Sequence, residues 1–479
     1  MAFRLPLLSP VAWVTFEKVT QQVLWLILFA VLAPILGPRP YGLFSIVMVF
    51  VGLCELILLE GAIEALVMVD DLEHLHTTTA NLTNGGIAIA LAVAISVLAP
   101  VIAGLFHDEE IKRLIWALAL LPVLSSLSAT PIAILRRSMQ YKQLAIRSIL
   151  GLLIGGTIGI ILALSGAGVW ALAMQVLAQR VAEFVIVWIA APVRMGFTWS
   201  GVHFRELSPV GMNVFAGLIM SFAGGQVPRL ILGYMLGPTE LGLFTLATRF
   251  LDMVIQTTVL PPTGVGRIEL RASKPGSSEF TRTFTKMTQN VTLLSFPIFL
   301  GAAALTPDVF RIWLNERWLA GVVPMQFMLL SGIPLVLFYC IDAAFFAANQ
   351  SRLYVRTAVA QTVTISATVL CAAPFGLDLT CLSLAIRPWL LLPIFLILLR
   401  RSCHLPIFSI LLLPLRSLIG ATIMGALLSL PVLHPSWLNE MSTFILLVSI
   451  GVALYFIFLY VFLRNQMKTL LKGIFTYRT

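Results

Sequence analysis

Apolar runs of about 20 residues recur along nearly the whole chain, and each is long enough for a helix to cross a hydrocarbon core of roughly 30 Å. Only helices and closed barrels satisfy their backbone hydrogen bonds inside a membrane. Charged residues make up 11% of the chain and hydrophobic residues 59%, whereas a soluble domain carries roughly 25% charged residues. One water-soluble core cannot bury this much apolar surface. The sequence therefore predicts an all-α polytopic membrane protein.

We predict about fourteen transmembrane helices joined by short polar connections. They are expected at 11–35, 41–67, 81–105, 114–135, 149–164, 168–191, 209–235, 239–262, 288–305, 320–347, 358–373, 379–399, 411–432 and 442–463. The segment MAFRLPLLSP that precedes them lacks the layout of a signal peptide, so we expect it to be a short cytoplasmic lead.

Basic residues are distributed unevenly between the predicted connections. With the N-terminus placed inside, twenty of the 31 Lys and Arg residues fall in inner segments and five in outer loops. Cytoplasmic loops carry an excess of Lys and Arg, so both termini are predicted to be cytoplasmic. This excess of basic residues in the inner loops accounts for most of the +10 net charge. Attraction of these loops to anionic lipid explains the charge without a nucleic-acid partner.

The inner segment DDLEHLHTTTAN at 70–81 departs from this trend because it is acidic. Its Asp70, Asp71, Glu73, His74 and His76 have the residue types of a metal cluster. No further ligand is spaced in the sequence to close a site, so we predict a solvated loop and no metal.

A short peptide occurs twice, as LGPRPYGLF from Leu36 and as LGPTELGLF from Leu236. Gly and Pro end one apolar run and Gly-Leu-Phe begins the next, which predicts a tight outer turn with a structural role. Three further landmarks repeat in the same order: SPVAWVTF at Ser9 with SPVGMNVF at Ser208, QYKQLAIRS at Gln140 with QSRLYVRTA at Gln350, and the glycine turns at Gly166 and Gly376.

The repeats indicate two copies of a six-helix unit. We predict an N-terminal lobe at 1–200, a C-terminal lobe at 201–402, and two extra helices with a basic cytoplasmic tail at 403–479. Because six is an even number, both copies enter the membrane in the same orientation. Such parallel repeats are related by an axis along the membrane normal.

This arrangement, with an LGP-x-x-x-GLF turn after each lobe's first helix, resembles the multidrug/oligosaccharidyl-lipid/polysaccharide (MOP) flippase superfamily. Within it the chain looks like the polysaccharide transporters, the Wzx-type flippases. YGLFSIVMVFVGLCELILLEGAIEALV is similar to that family's second helix, and LILGYMLGPTELGLFTLATRF to its seventh-to-eighth hairpin. Many relatives carry an Asp before the Arg of this hairpin, where this chain has Pro228 before Arg229.

The resemblance implies a two-lobed flippase in the bacterial inner membrane. It would move an undecaprenyl-diphosphate-linked oligosaccharide to the outer leaflet by alternating access, for exopolysaccharide or O-antigen assembly. Membrane lipids would be further partners, together with polysaccharide polymerase and export proteins. A multidrug/cation antiporter of the same superfamily is one alternative. A polytopic polymerase or ligase is another, which the short outer loops and the absence of an enzyme motif disfavour. We therefore expect no enzymatic activity and no cofactor.

Charged residues inside the predicted spans are candidates for the transport site, because burying a charge at mid-membrane costs about 2.5–3.5 kcal/mol. A lipid diphosphate brings about two negative charges, and guanidinium groups bind phosphate oxygens bidentately. The diphosphate-binding candidates are Arg180, Arg249, Arg387, Arg229 and Lys18. Two of these arginines have plainer explanations as i,i+3 ion pairs on one helix face, Arg180 with Glu183 and Arg249 with Asp252.

The embedded acids bear on energy coupling. Asp342 stands alone in an aromatic stretch, while Glu60 and Glu64 lie one turn apart on one helix face. Intramembrane carboxylates are candidates for binding H⁺ or Na⁺. A hydrogen-bonded structural acid is the alternative for Asp342. A separate pattern, two overlapping G-x-x-x-G motifs at 151–159, predicts close helix packing.

Overall fold

The computed structural model describes residues 10–58, 63, 66–69, 71–191, 196–430 and 439–462. Every regular element within these residues is helical. The chain divides into two compact units, Met1–Gly242 and Leu243–Thr479. The predicted division into lobes at 1–200, 201–402 and 403–479 stays a prediction.

The first unit contains seven complete helices and the first part of an eighth among its described residues. They are α1 (Pro10–Leu36), α2 (Pro38–Leu58), α3 (His74–Phe106), α4 (Glu109–Leu118), α5 (Leu120–Arg137), α6 (Tyr141–Leu164), α7 (Val169–Ala190) and the beginning of α8 (Gly201–Val254). Helix α6 packs along α7 and α1, while α2 contacts α3, α4, α5 and α7. A hydrophobic core that includes Ile132, Leu135 and Val187 lies between α5 and α7.

Glycines allow α6 and α7 to approach closely. A Cβ atom on Gly155 would lie 2.4 Å from the carbonyl oxygen of Gln175, and one on Gly159 would lie 2.9 Å from the Cβ of Gln175. Neither position has room for a methyl group. The close helix packing predicted from the G-x-x-x-G motifs is confirmed.

Both copies of the LGP peptide form a turn at the same glycine. Gly37 has φ 76° and Gly237 has φ 84°, a left-handed conformation that glycine adopts without steric cost. Gly37 separates α1 from α2, and Gly237 interrupts the long helix α8. The predicted structural role of this peptide as a turn is confirmed.

The second unit contains seven further helices among its described residues. After a π-helical turn at Ile255–Val259 they are α9 (Leu260–Arg271), α10 (Ser278–Trp313), α11 (Val322–Ala347), α12 (Ser351–Ala372), α13 (Leu377–Cys403), α14 (Ile407–Leu428) and α15 (Glu440–Phe462). Helix α10 packs against α11 and α14, and α11 against α13. The side chains of Phe280, Phe296, Phe299 and Phe345 are fully buried in this unit.

The described residues contain twelve helices that are long and apolar enough to cross a membrane. One of them, Gly224–Arg271, is interrupted at Gly237, and the shorter apolar helix Pro414–Leu428 adds another. Counted in this way, the described residues hold fourteen apolar helical segments, in agreement with the predicted number. Several helices extend beyond their apolar runs. Helix α10, for example, starts earlier than predicted because Ser277 caps it, its hydroxyl accepting from the backbone N–H of Phe280 at 3.1 Å.

The prediction of a solvated loop at 70–81 is wrong for its second half. Helix α3 starts at His74, and Thr77, Thr78 and Thr79 are buried. The Ser200 N–H donates to the Thr79 hydroxyl at 3.2 Å, so the segment before α8 packs against the first two turns of α3. The local sequence pattern did not predict this start of the helix. The contact that covers it comes from Ser200, more than a hundred residues later in the chain. Asp70 lies outside the described residues.

Candidate functional site

A cluster of buried charges lies in the first unit, where α2 meets α7. The Arg180 Nε is 3.4 Å from Oε1 of Glu55 on α2, and its Nη1 donates to Oε2 of Glu183 at 3.1 Å. The side chains of Glu55 and Glu183 are 12% and 6% exposed, so both carboxylates are largely removed from solvent. The predicted i,i+3 pair of Arg180 with Glu183 is therefore present, and Glu55 adds a second carboxylate.

Neighbouring helices complete this cluster. Arg147 on α6 places its Nη2 4.0 Å from Oε2 of Glu183, and Gln179 donates to Oε1 of the same carboxylate at 2.8 Å. The Ser125 hydroxyl on α5 donates to Glu55. Two guanidinium groups thus face two carboxylates, which leaves the cluster electrically balanced.

Sequence reasoning misassigned Arg147. The predicted spans at 114–135 and 149–164 leave it in the connection between them, but α6 begins at Tyr141 and carries Arg147 in its second turn. Gly151, one turn later, gives space to its partner, because a Cβ there would lie 2.5 Å from Cγ of Glu183. The glycine and the arginine four residues before it lie on one helix face, which packs against α7.

Arg387 in the second unit has a different environment. It lies on α13 with 8% of its surface exposed, and its Nη1 donates to the Gln361 carbonyl at 3.2 Å and to the Thr364 hydroxyl at 3.0 Å, both on α12. Its Nε is buried and donates to no described residue. Among the described residues no carboxylate lies within ion-pair distance of Arg387. Its positive charge is therefore not neutralised by this part of the chain.

Asp342 on α11 lies near another arginine of the second unit. Arg267 is close enough to interact electrostatically with the Asp342 carboxylate, and its guanidinium stacks 4.9 Å from the centre of the Phe346 ring. The Oδ1 of Asp342 is buried and accepts no hydrogen bond from a described residue. A carboxylate oxygen in this position can accept a proton or a small cation.

The remaining candidates occupy separate positions. Arg229 is half-buried on α8, where its Nη1 donates to Oε1 of Gln226 at 3.2 Å. Arg249 on α8 and Lys18 on α1 are exposed. Glu60 and Glu64 lie outside the described residues. A cavity shared by Arg180, Arg249 and Arg387 stays a prediction.

Contrary to the expectation that no further ligand could close a metal site at 70–81, another residue with a metal-ligand side chain lies beside this segment. Helix α8 brings His203 next to Glu73 and His76, and the ligand atoms of these three residues all lie within 4.8 Å of one another. The spacing of ligands along the sequence did not reveal this cluster because His203 belongs to a different helix.

A family model described as "Polysaccharide biosynthesis protein" matches residues 31–323, which is more than half of the chain. The chain belongs to this family. The resemblance to polysaccharide transporters inferred from the LGP turns is thereby confirmed.

Three curated relatives are more distant in sequence. The chain is 24% identical over 311 residues to the succinoglycan biosynthesis transport protein ExoT of Rhizobium meliloti, a match that covers 64% of this chain and 62% of the relative. It is 22% identical to the lipopolysaccharide biosynthesis protein WzxC of Escherichia coli, over 70% of this chain and 68% of the relative. Identity to the teichuronic acid biosynthesis protein TuaB of Bacillus subtilis is 20%, with 69% of each chain covered. The match thus spans slightly less than two thirds of ExoT.

Solved structures of the MOP superfamily share the fold. An inward closed conformation of the lipid II flippase MurJ matches 95% of this chain and 99% of its own, with a TM-score of 0.76 at 15% identity. An inward-facing multidrug resistance transporter of the MATE family matches 88% of this chain with a TM-score of 0.59 at 12% identity. At such identities the likeness concerns the fold, which is that of a polytopic helical membrane protein, as predicted.

Proposed function

We propose that this protein is a flippase for a lipid-linked oligosaccharide. It moves an undecaprenyl-diphosphate-linked repeat unit from the cytoplasmic to the outer leaflet, for exopolysaccharide or O-antigen synthesis. Family membership, a relative named as a transport protein, and the fold of a lipid II flippase all support this proposal. The absence of an enzyme motif from the sequence supports transport without catalysis.

The observation that carries the proposal is the environment of Arg387. Transfer of an unpaired charge into an apolar medium is costly, so buried charges in proteins are normally paired. Arg387 is buried and bonded only to a carbonyl and a hydroxyl among the described residues, which leaves Nε and a full positive charge for a further partner. A diphosphate oxygen carries the negative charge that would neutralise Arg387 and can accept a hydrogen bond from its guanidinium group.

Arg180 has a second part in this proposal. Because Glu55 and Glu183 already balance its charge and that of Arg147, an incoming diphosphate must compete with two carboxylates. Such competition weakens binding and allows release, which a transporter requires as much as capture. Arg249, Arg229 and Lys18 are proposed as further basic residues along the substrate path.

Asp342 is proposed as the site of energy coupling. Its carboxylate has one buried oxygen without a hydrogen-bond donor among the described residues, and Arg267 is the basic residue that acts on it electrostatically. Binding of H⁺ or Na⁺ would neutralise the Asp342 carboxylate and weaken its electrostatic attraction to Arg267. The loss of this attraction would couple ion binding to conformational change. Glu60 and Glu64 remain proposals on sequence grounds alone.

We place the protein in the bacterial inner membrane with both termini in the cytoplasm. The positive-inside distribution of Lys and Arg supports this orientation. In that position the protein accepts its substrate from membrane lipids at the inner leaflet. It delivers the substrate to polysaccharide polymerase and export proteins on the outer side.

Complementation tests the function. A bacterium that lacks its own lipid-linked-oligosaccharide flippase receives the wild-type chain, Arg387→Ala or Arg416→Ala at matched membrane expression, and surface polysaccharide is scored. Arg416 is an exposed arginine of α14 and serves as the matched control. We expect rescue by the wild type and Arg416→Ala, and loss of rescue with Arg387→Ala. Rescue by all three would refute the role of Arg387. Failure of the wild type, together with cation-dependent drug efflux, would favour an antiporter.

A further inference from the structure

Two histidines and two glutamates meet where the start of α3 contacts the start of α8, away from the proposed transport residues. His76, in the first turn of α3, is 5% exposed, and its ring packs edge-on against His203 with centroids 4.2 Å apart. Glu73 immediately precedes α3, and Glu206 lies one turn after His203 on α8. Both glutamate side chains are more than half exposed and can adjust their positions.

The distances in this cluster suit a tetrahedral transition-metal site. Zinc bonds to histidine nitrogen and carboxylate oxygen at about 2.0–2.2 Å, so two donors of a tetrahedral site lie roughly 3.3–3.5 Å apart. The Nε2 of His203 lies 3.4 Å from Oε2 of Glu73. Donor atoms of Glu73, His76 and His203 are mutually within 4.8 Å, so small side-chain movements bring all three onto one ion.

Neighbouring hydrogen bonds orient both imidazoles. The Glu73 N–H donates to Nδ1 of His76 at 3.1 Å, so Nε2 carries the proton of the neutral ring when no metal is bound. Ligation through Nε2 moves that proton to Nδ1 and replaces this hydrogen bond with a metal–ligand bond. Nε2 lies 2.9 Å from Oε2 of Glu206, which can therefore supply the fourth ligand. The Ser200 hydroxyl is 2.7 Å from Nδ1 of His203 and holds the opposite nitrogen towards Glu73. A hydrogen-bond partner on the second ring nitrogen, such as the Ser200 hydroxyl at His203, is typical of metal-binding histidines.

The charge of the cluster also favours a cation. With neutral imidazoles the two glutamates give it a charge of −2, and among the described residues no Lys or Arg pairs with Glu73 or Glu206. Within this part of the chain their basic partners are the two histidines. A divalent ion would balance this charge and would replace the contacts of His76 with Glu206 and of His203 with Glu73 by metal–ligand bonds.

We propose that Glu73, His76, His203 and Glu206 form a binding site for one divalent transition-metal ion of the zinc class. The bound ion fastens the segment that enters α8 to the N-terminus of α3.

Metal binding to the purified full-length chain tests this site directly. The chain carries an affinity tag without histidine, is stripped with a chelator, and is titrated with Zn²⁺ against a chromophoric competitor. We expect one Zn²⁺ per chain in the wild type. His203→Ala and Glu73→Gln should each weaken binding by at least tenfold. Ser200→Ala should weaken it by roughly tenfold, because it removes the hydroxyl that contacts Nδ1 of His203.

Controls separate loss of the site from loss of the fold. His107→Asn changes an exposed histidine at the other end of α3 and should keep the wild-type stoichiometry, since Asn tolerates its left-handed backbone (φ 54°). The metal-free variants should elute from gel filtration and unfold on heating as the metal-free wild type does. A wild type that binds no zinc, or a His76→Ala/His203→Ala double variant that retains it, would overturn the proposal.

Discussion

A Cβ atom on Gly42 would lie 1.7 Å from the carbonyl oxygen of Pro238, far inside van der Waals contact. The relationship is reciprocal, because a Cβ on Gly242 would lie 2.0 Å from the carbonyl oxygen of Pro38. Each LGP peptide thus places its last glycine against the proline of the other copy. Both copies of the LGP peptide therefore form a turn, and the two turns pack against each other within the first unit.

The first prediction concerns this contact. Gly42→Ala should destabilise the protein by about 2 kcal/mol, because the obstructing atoms belong to the backbone and cannot rotate away as a side chain could. The midpoint of heat-induced unfolding in detergent measures the effect. Gly104→Ala is the matched control, since a Cβ on Gly104 meets no atom within 4 Å. Equal midpoints for the two variants would contradict the close contact.

The buried charge cluster gives a second prediction. Glu183→Gln removes the carboxylate that faces Arg147 and Arg180, and loss of one partner from a buried ion pair costs about 3 kcal/mol or more. The double variant Arg180→Gln/Glu183→Gln should recover part of this loss, because it also removes one uncompensated charge. Thermal unfolding of the single and double variants forms a double-mutant cycle. Strictly additive effects would show that the two side chains do not interact.

A third prediction separates stability from transport at Arg387. An unpaired buried charge costs folding free energy, so Arg387→Met should leave the unfolding midpoint equal to or higher than that of the wild type. The same variant should abolish surface polysaccharide in the complementation assay. Arg387→Lys should restore little activity, because an ammonium group cannot bind phosphate bidentately. Parallel loss of stability and transport in Arg387→Met would instead indicate a structural arginine.

The fourth prediction addresses coupling. Asp342→Asn keeps the size of the side chain but cannot be charged, so transport should lose its dependence on an imposed H⁺ or Na⁺ gradient. Proteoliposomes in which each gradient is imposed separately give the measurement. Asp308→Asn, which changes another acid of the second unit, should retain the dependence. A gradient response that persists in Asp342→Asn would exclude Asp342 as the coupling group.

Much of the fold was predictable from local pattern. Apolar runs located the spans, and the glycines of the LGP peptides located two turns. Gly37 and Gly237 both have a positive φ, which glycine adopts without steric cost. Helix ends were less accurate where side-chain caps extend a helix beyond its apolar run, as Ser277 does for α10.

The sites were harder to predict because they depend on contacts between distant residues. The i,i+3 pair of Arg180 with Glu183 is local and was recognised, whereas Glu55 joins it from a different helix. His203 likewise approaches His76 only once α8 packs on α3. Periodicity and charge identify which residues are unusual, but not which of them meet.

Direct observation of flipping tests the central claim. Proteoliposomes containing the purified chain receive a fluorescent undecaprenyl-diphosphate oligosaccharide isolated from the strain that encodes it, and a membrane-impermeant quencher reports which leaflet holds the label. We predict that wild-type protein exposes the inner-leaflet label to the quencher and that Arg387→Ala does so far more slowly. Wild-type vesicles that protect the inner-leaflet label as fully as protein-free vesicles would contradict the account.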